Sequence, residues 1–582
     1  MFLGTLGLKK ENQMKLIKHI GVIASFLLIT ACHAVPWNIQ ATNVEYRFKV
    51  KHYEQHYEIN PESKIFKSKQ NIALTNASGS ATNKIAFSLH PDLMIDQITV
   101  KDVNDREIQI KQTKRIGSRK WMDLNEKKFP IFETQVLETI KPNQKIVFDI
   151  HYHLNPEAIK DIPKENIWAL TISPKTSYAI GPYTGNNPIF CRNLIAPFNL
   201  SIKYPAGNYS CVPGRLVFSK KEAGYVIDTY KSDLPNIPTF SCAPYKKIER
   251  KKDDITVAFY LYPQQKYDEE MIDYTFNVVK LYSYVFGDNG TKSYRFGTVG
   301  RINSKRSGGE NKGNAIYFPD LVTKNYMETK EGKTYYKFFV NHELFHNWNL
   351  FYVRWSGKLY EWFGEGGANF VAAWAYDRIE SEEIGALARR HFLEQFIKNK
   401  GYRSVKTLEY VNKSGRSERA LMYYYGALVW EQLRQKLGDE GFFTALADFF
   451  KKYGFRNAKY EDFLECMQAK TTVDVKSYLD QWIKHNAKIK LSINHVQIQQ
   501  KANAYETAVE IKVNSNKDYE LFTSLAYKTS AQAELQKVPV HLTRKGKHTF
   551  TLTTEKKPVF IQLDPDFGVP RINLDNCQWV SK

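Results

Sequence analysis

Cysteine is scarce: there are six in 582 residues, and no two are spaced as Cys-x-x-Cys, which argues against a cysteine-built metal site. Beyond the first thirty-odd residues no apolar run is long enough to span a bilayer as a helix, which excludes a polytopic membrane protein. Internal repeats and low-complexity tracts are absent too, so neither a solenoid nor a disordered chain is expected. Acidic residues are in deficit, 61 against 83 Lys and Arg, for a formal net charge of +22. Clustered cations attract nucleic acid, but no recognition motif accompanies them here, and no nucleic-acid partner is expected. The densest run, Lys246-Lys247-Ile248-Glu249-Arg250-Lys251-Lys252-Asp253-Asp254, ends in acids and sits where a domain junction is expected. The charge reads as a solvated basic surface, and an anionic envelope surface suits it better than a polynucleotide.

The amino terminus holds the one targeting signal. Lys15, Lys18 and His19 precede an apolar stretch over 20–30, followed by Ala31-Cys32-His33-Ala34. A short basic region, a brief apolar core and small residues at its end describe a secretory signal over 1–34. Met14 begins it neatly, with residues 1–13 an upstream start. Ile29-Thr30-Ala31-Cys32 is similar to the bacterial lipobox, whose Cys is lipidated and becomes the first mature residue. Export to the bacterial cell envelope or periplasm follows, with membrane anchoring through Cys32. Ordinary cleavage after Ala34 and a soluble secreted protein are the alternative. Outside the cell disulfides become possible, with Cys191, Cys211 and Cys242 as the candidates and no pairing legible.

The length suggests three or four domains. Segments 71–75, 84–89 and 145–152 are rich in β-branched and aromatic residues, separated by turn formers such as Asn76-Ala-Ser-Gly. They predict a β-sandwich or saddle over 35–249. Residues 250–488 open with strands at 255–263, 294–302 and 315–318 around a helix at 267–286. Helices follow at 333–348, 359–379, 381–398, 418–437, 440–453, 460–469 and 475–485, with Gly438-Asp439 as a stop and a new cap. Period-two alternation returns after 489 and predicts a small β-sandwich to residue 582. The expected class is multidomain α+β.

The chemistry gathers at Asn341-His342-Glu343-Leu344-Phe345-His346-Asn347-Trp348. Histidines four apart on a helix lie one above the other and can reach one ion, and chance gives on the order of 0.02 such patterns in a chain like this. Zinc accepts neutral imidazole nitrogens, and Glu343 is placed to take a proton from the attacking water. Eighteen residues separate His346 from Glu365, which sits among Trp362, Phe363, Ala368 and Phe370. A carboxylate in such apolar company needs a cation, and one Zn²⁺ would supply it. Glu361 is the rival third ligand.

His-Glu-x-x-His, eighteen residues, then Glu within Trp-x-x-Glu-Gly resembles the aminopeptidase N-like gluzincins, and more distantly the glycyl aminopeptidase family. The resemblance implies a thermolysin-like catalytic domain at 250–488. It extends to Ser307-Gly308-Gly309-Glu310-Asn311-Lys312-Gly313, similar to the family's Gly-x-Met-Glu-Asn-x-Gly. There it implies that Glu310 binds a substrate's α-amino group and that backbone at Gly308 and Gly309 lines the peptide, with Ser307 and Gly309 departing from the pattern. Tyr423-Tyr424-Tyr425-Gly426 resembles the family's Tyr-x-x-Gly, which implies that Tyr423 donates to the tetrahedral intermediate, with Tyr424 and Tyr425 as rivals. Phe560-Ile-Gln-Leu-Asp-Pro-Asp566 is similar to a strand end of the family's third domain. The large helical carboxy-terminal domain of many members has no counterpart, which implies a more open cleft.

The function implied is removal of amino-terminal residues from peptides. The alternatives are an endopeptidase or another hydrolase on the same site, or a silent lipoprotein using the fold for binding. Composition and motifs leave the oligomeric state open.

Overall fold

Strand periodicity is plainest in Lys145–Leu154, where Ile146, Phe148, Ile150, Tyr152 and Leu154 are buried and the residues between them face outward. The computed structural model describes residues 47–120, 128–160, 170–180, 187–190, 194–266, 269–300, 309–319, 330–411 and 415–581. Met14, the lipobox-like segment with Cys32, Cys191 and Gly308 lie outside them. The class is multidomain α+β, as expected. Two compact units are present, one of residues 47–276 and 290–336, the other of 277–289 and 337–581.

In the first unit a seven-stranded sheet runs in the order Arg215–Glu222, Tyr225–Asn236, Ala196–Pro205, Phe48–Asn60, Ile65–Asn76, Lys145–Leu154, Leu93–Lys101. Only the pairing of Phe48–Asn60 with Ala196–Pro205 is parallel. Its apolar face shares a core with a three-stranded sheet: Ile85 and Phe87 from Thr82–Ser88 and Val136 and Ile140 from Lys128–Ile140 join Ile72, Leu74 and Phe148. A second, five-stranded sheet has Ile255–Leu261, Ser293–Val299 and Ala315–Pro319 in parallel, with antiparallel edges Lys246–Lys252 and Glu310–Asn311.

That first edge corrects the reading of the densest charged run. Residues 246–252 form a strand rather than a junction, paired residue for residue with Ile255–Leu261 through a turn in which Asp253 has φ +56°. Lysines on an edge strand keep it from pairing with another chain, which accounts for the composition. The expected division between 249 and 250 falls inside this hairpin.

Two of the three disulfide candidates are also corrected. Cys211 and Cys242 are free and buried. They lie on adjacent antiparallel strands, but Cys211 is opposite Ser241 and Cys242 opposite Ser210. That one-residue offset turns the two thiols to opposite faces, into different cores.

The second unit is helical, then β. Its longest helix, Gly426–Tyr453, is broken at Gly438 (φ +72°, ψ 160°), where a stop was expected. Lys490–Lys501, Ala504–Asn514 and Gly546–Thr554 make one carboxy-terminal sheet, and Gln536–Leu542, Leu521–Lys528, Phe560–Leu563 and Gln578–Val580 another. Asp564, at the strand end noted in the sequence, is buried and accepts from Arg571 Nε at 2.9 Å and the Gly568 amide at 3.0 Å. Gln432 seats this β-layer on the helices, donating to the Phe522 carbonyl at 2.8 Å and accepting from its amide at 3.1 Å. No helix of the described residues is long and apolar enough to cross a membrane.

Candidate metal centre

The helix Lys330–His346 carries His342 and His346 one turn apart, so both imidazoles leave the same face. They meet Glu365, delivered by a single π-helical turn, Trp362–Gly366. The three ligand atoms lie within 4.8 Å of one another and all three side chains are buried. His342 Nε2 is 3.2 Å from His346 Nε2, and Glu365 Oε2 is 3.4 and 3.8 Å from those two nitrogens. Atoms about 2.1 Å from one ion at tetrahedral angles stand roughly 3.4 Å apart, so the donor set fits zinc. Burial disfavours a charged imidazole at His342, yet the Glu365 and Glu343 carboxylates outweigh it and raise its pKa.

The far nitrogen of each ring is held. His342 Nδ1 meets Asn369 Oδ1 at 2.9 Å, and His346 Nδ1 meets Asn349 Oδ1 at 3.0 Å. An amide oxygen only accepts, so each Nδ1 carries the proton and each Nε2 turns its lone pair to the common point. The amide nitrogens fix this assignment. Asn369 Nδ2 donates to the Tyr423 carbonyl at 2.9 Å, and Asn349 Nδ2 to the Phe363 and Gly364 carbonyls at 2.9 and 2.8 Å. Each asparagine thus ties a histidine to the segment bearing another site residue. Reading the sequence alone missed both, although Asn349 is three residues after His346 and Asn369 four after Glu365, spacings that share a helical face.

Three π-helical segments meet here: Asn347–Tyr352, directly after His346; Trp362–Gly366, with Glu365; and Leu421–Tyr425, with Tyr423. Such turns are rare and recur at functional sites. A Cβ on Gly366 would stand 3.1 Å from the Met422 carbonyl oxygen, and one on Gly426 3.2 Å from Trp362 Cδ1. The glycines of the two motifs therefore let these segments approach backbone to backbone. Trp362 locks the junction, donating Nε1 to the Gly426 carbonyl at 3.2 Å and stacking on Trp430 at 4.7 Å.

Residues 292–482 match the peptidase family M1 domain. The chain is 30% identical over 162 residues to Aminopeptidase M1-B of Oryza sativa subsp. japonica, covering 25% of this chain and 17% of that protein. It is 24% identical over 207 residues to mitochondrial Aminopeptidase 2 of Saccharomyces cerevisiae, covering 34% and 22%. Against Glutamyl aminopeptidase of Sus scrofa it is 22% identical over 263 residues, covering 41% and 26%. The chain spans about a quarter or less of the length of these relatives.

Within the matched region the rivals separate. Tyr423 lies with its ring 6.5 Å from that of His342, centroid to centroid. Tyr425 points elsewhere and donates to the Trp482 and His485 carbonyls at 3.1 and 3.3 Å, while Tyr424 packs on His391 and Phe392. Glu361 is buried but outside the ligand cluster. Glu343 is fully buried beside the first ligand.

Glu310 belongs to the other unit, in the edge strand Glu310–Asn311. Gly309 is buried next to it. The Glu310 carboxylate accepts from Lys312 Nζ, and the two side chains are only 5% and 4% exposed. Residues two apart on extended chain share a face, so this carboxylate is held with a cation from its own strand end.

Proposed function

We propose that the chain is a zinc-dependent aminopeptidase. The observation that carries this is the convergence, inside an M1 domain, of two Nδ1-anchored imidazoles and one buried carboxylate on a single point. His342, His346 and Glu365 would hold the ion. Zinc bound there supplies a Lewis acid that polarises the scissile carbonyl and acidifies water. Glu343 takes the proton of the attacking water and passes it to the leaving amine. The Tyr423 hydroxyl donates to the oxyanion as charge develops. Glu310 holds the substrate's α-ammonium and so fixes which bond is presented, with backbone at Gly308 and Gly309 along the peptide. The aminopeptidases among the relatives support the exopeptidase reading.

Lys312 on Glu310 favours a second reading, an endopeptidase that takes amino-blocked peptides. The two are separated by measuring zinc content and the hydrolysis of free and acetylated aminoacyl anilides, with and without chelator. Chelator-sensitive cleavage of the free substrates alone is expected. Cleavage of the acetylated set alone, or none, would defeat the first reading. Placement at the bacterial envelope rests on the signal and on Ile29-Thr30-Ala31-Cys32, and loss of labelled palmitate in Cys32→Ala checks the anchor.

A further inference from the structure

We propose that the loop after helix Glu382–Lys398 docks the protein on an anionic lipid bilayer. Val405 is 95% exposed, the most exposed large hydrophobic side chain among the described residues, and Tyr410 in the same loop is 59% exposed. Cations surround them. Lys398 ends the helix, Lys400 and Arg403 lie on the loop, and Lys488 and Lys490 on the segment beside it; all five are exposed and none enters an ion pair with a described residue. The one acid of the loop, Glu409, is engaged by Lys358 at 2.7 Å, and Lys406 is answered by Glu418 at 3.4 Å.

The loop is also held in shape. Asn486 Nδ2 donates to the Ser404 and Lys406 carbonyls at 2.7 and 2.8 Å, on either side of Val405. That brings the 484–490 segment and its lysines alongside and presents the valine at a fixed tip. A polynucleotide would reward the cations and not an exposed valine. An anionic bilayer rewards both, with phosphates at the surface and an apolar layer just below. Each lysine or arginine near such a surface strengthens binding about fivefold, so five uncompensated cations and an apolar tip suffice for reversible docking.

The test uses the full chain bearing Cys32→Ser, so that no attached lipid contributes, in co-sedimentation with vesicles of phosphatidylglycerol and phosphatidylethanolamine or of phosphatidylcholine alone. Wild type should bind the anionic vesicles at least tenfold more tightly than the neutral ones. Val405→Asp and the pair Lys400→Glu with Arg403→Glu should each weaken binding at least tenfold without lowering the melting temperature. Phe218→Asp, at another exposed apolar position (53% exposed), should leave it unchanged. The proposal falls if wild type does not bind, if Val405→Asp binds as wild type does, or if transfer RNA binds as tightly as vesicles and is indifferent to Val405→Asp.

Discussion

Glu365 and Glu310 are both buried carboxylates of the region that matches the M1 domain, and they are answered differently. Glu365 shares its pocket with two imidazoles whose protons are pinned on the far side by Asn369 and Asn349. Lone pairs and a carboxylate turned toward one point repel unless a cation joins them, which suits this cluster to the zinc proposed above. Glu310 has its cation built in, two residues along, at Lys312. The difference teaches that burial of an acid does not by itself mark a site for an external charge. What matters is whether the surrounding donors are turned toward it or away.

The comparison breaks most sharply at the metal. Glu365→Gln keeps the shape and removes the charge that offsets the ion. Bound zinc should fall from one equivalent to near none by elemental analysis, with turnover down on the order of 10⁴-fold or more. Glu343→Gln separates ion from chemistry: a loss of about 10²–10⁴-fold in kcat with the zinc content intact. Zinc lost along with activity would make Glu343 part of the ion's support instead. Tyr423→Phe should cost about 10²–10³-fold in kcat with little change in KM, whereas Tyr425→Phe, whose hydroxyl bonds to the Trp482 carbonyl, should lower the melting temperature and leave kcat alone. Asn349→Leu frees the His346 ring, and competition with a chelator should show zinc affinity about 10–100-fold weaker.

How much of this could be read from the chain depends on whether the deciding contact leaves a period. His342 and His346 were legible because helical spacing alone brings them together, and Lys145–Leu154 because alternation alone sorts its faces. The strand Lys246–Lys252 was not, since an edge strand with lysines on it has the composition of a linker. Cys211 and Cys242 were misjudged because strand register, which the sequence does not print, sends them to opposite faces. The π-turns beneath Glu365 and Tyr423 were invisible for a related reason: one extra residue in a turn shifts the helical phase without changing residue type. Asn349 and Asn369 had the right spacing, but an asparagine on a helix has many ordinary reasons to be there. Only the hydrogen bonds to the ligand rings single them out.

The smallest effect bears most directly on the comparison. If Lys312 competes with a substrate's amino terminus for Glu310, then Lys312→Met should lower KM for free aminoacyl anilides severalfold while kcat holds, because the substrate no longer displaces an internal ammonium. Acetylated substrates, which bring no cation, should be unaffected. The variant should also be less stable, since it takes a cation from a carboxylate that at 5% exposure has little water to turn to. A dipeptide with a free amino terminus should restore part of the lost melting temperature in the variant and do less for wild type, since its ammonium takes the place Lys312 vacated. A rise in KM, with no rescue by the dipeptide, would mean that Lys312 holds Glu310 in position rather than contesting it. The two carboxylates would then both be poised for a partner from outside, and the contrast between them would vanish.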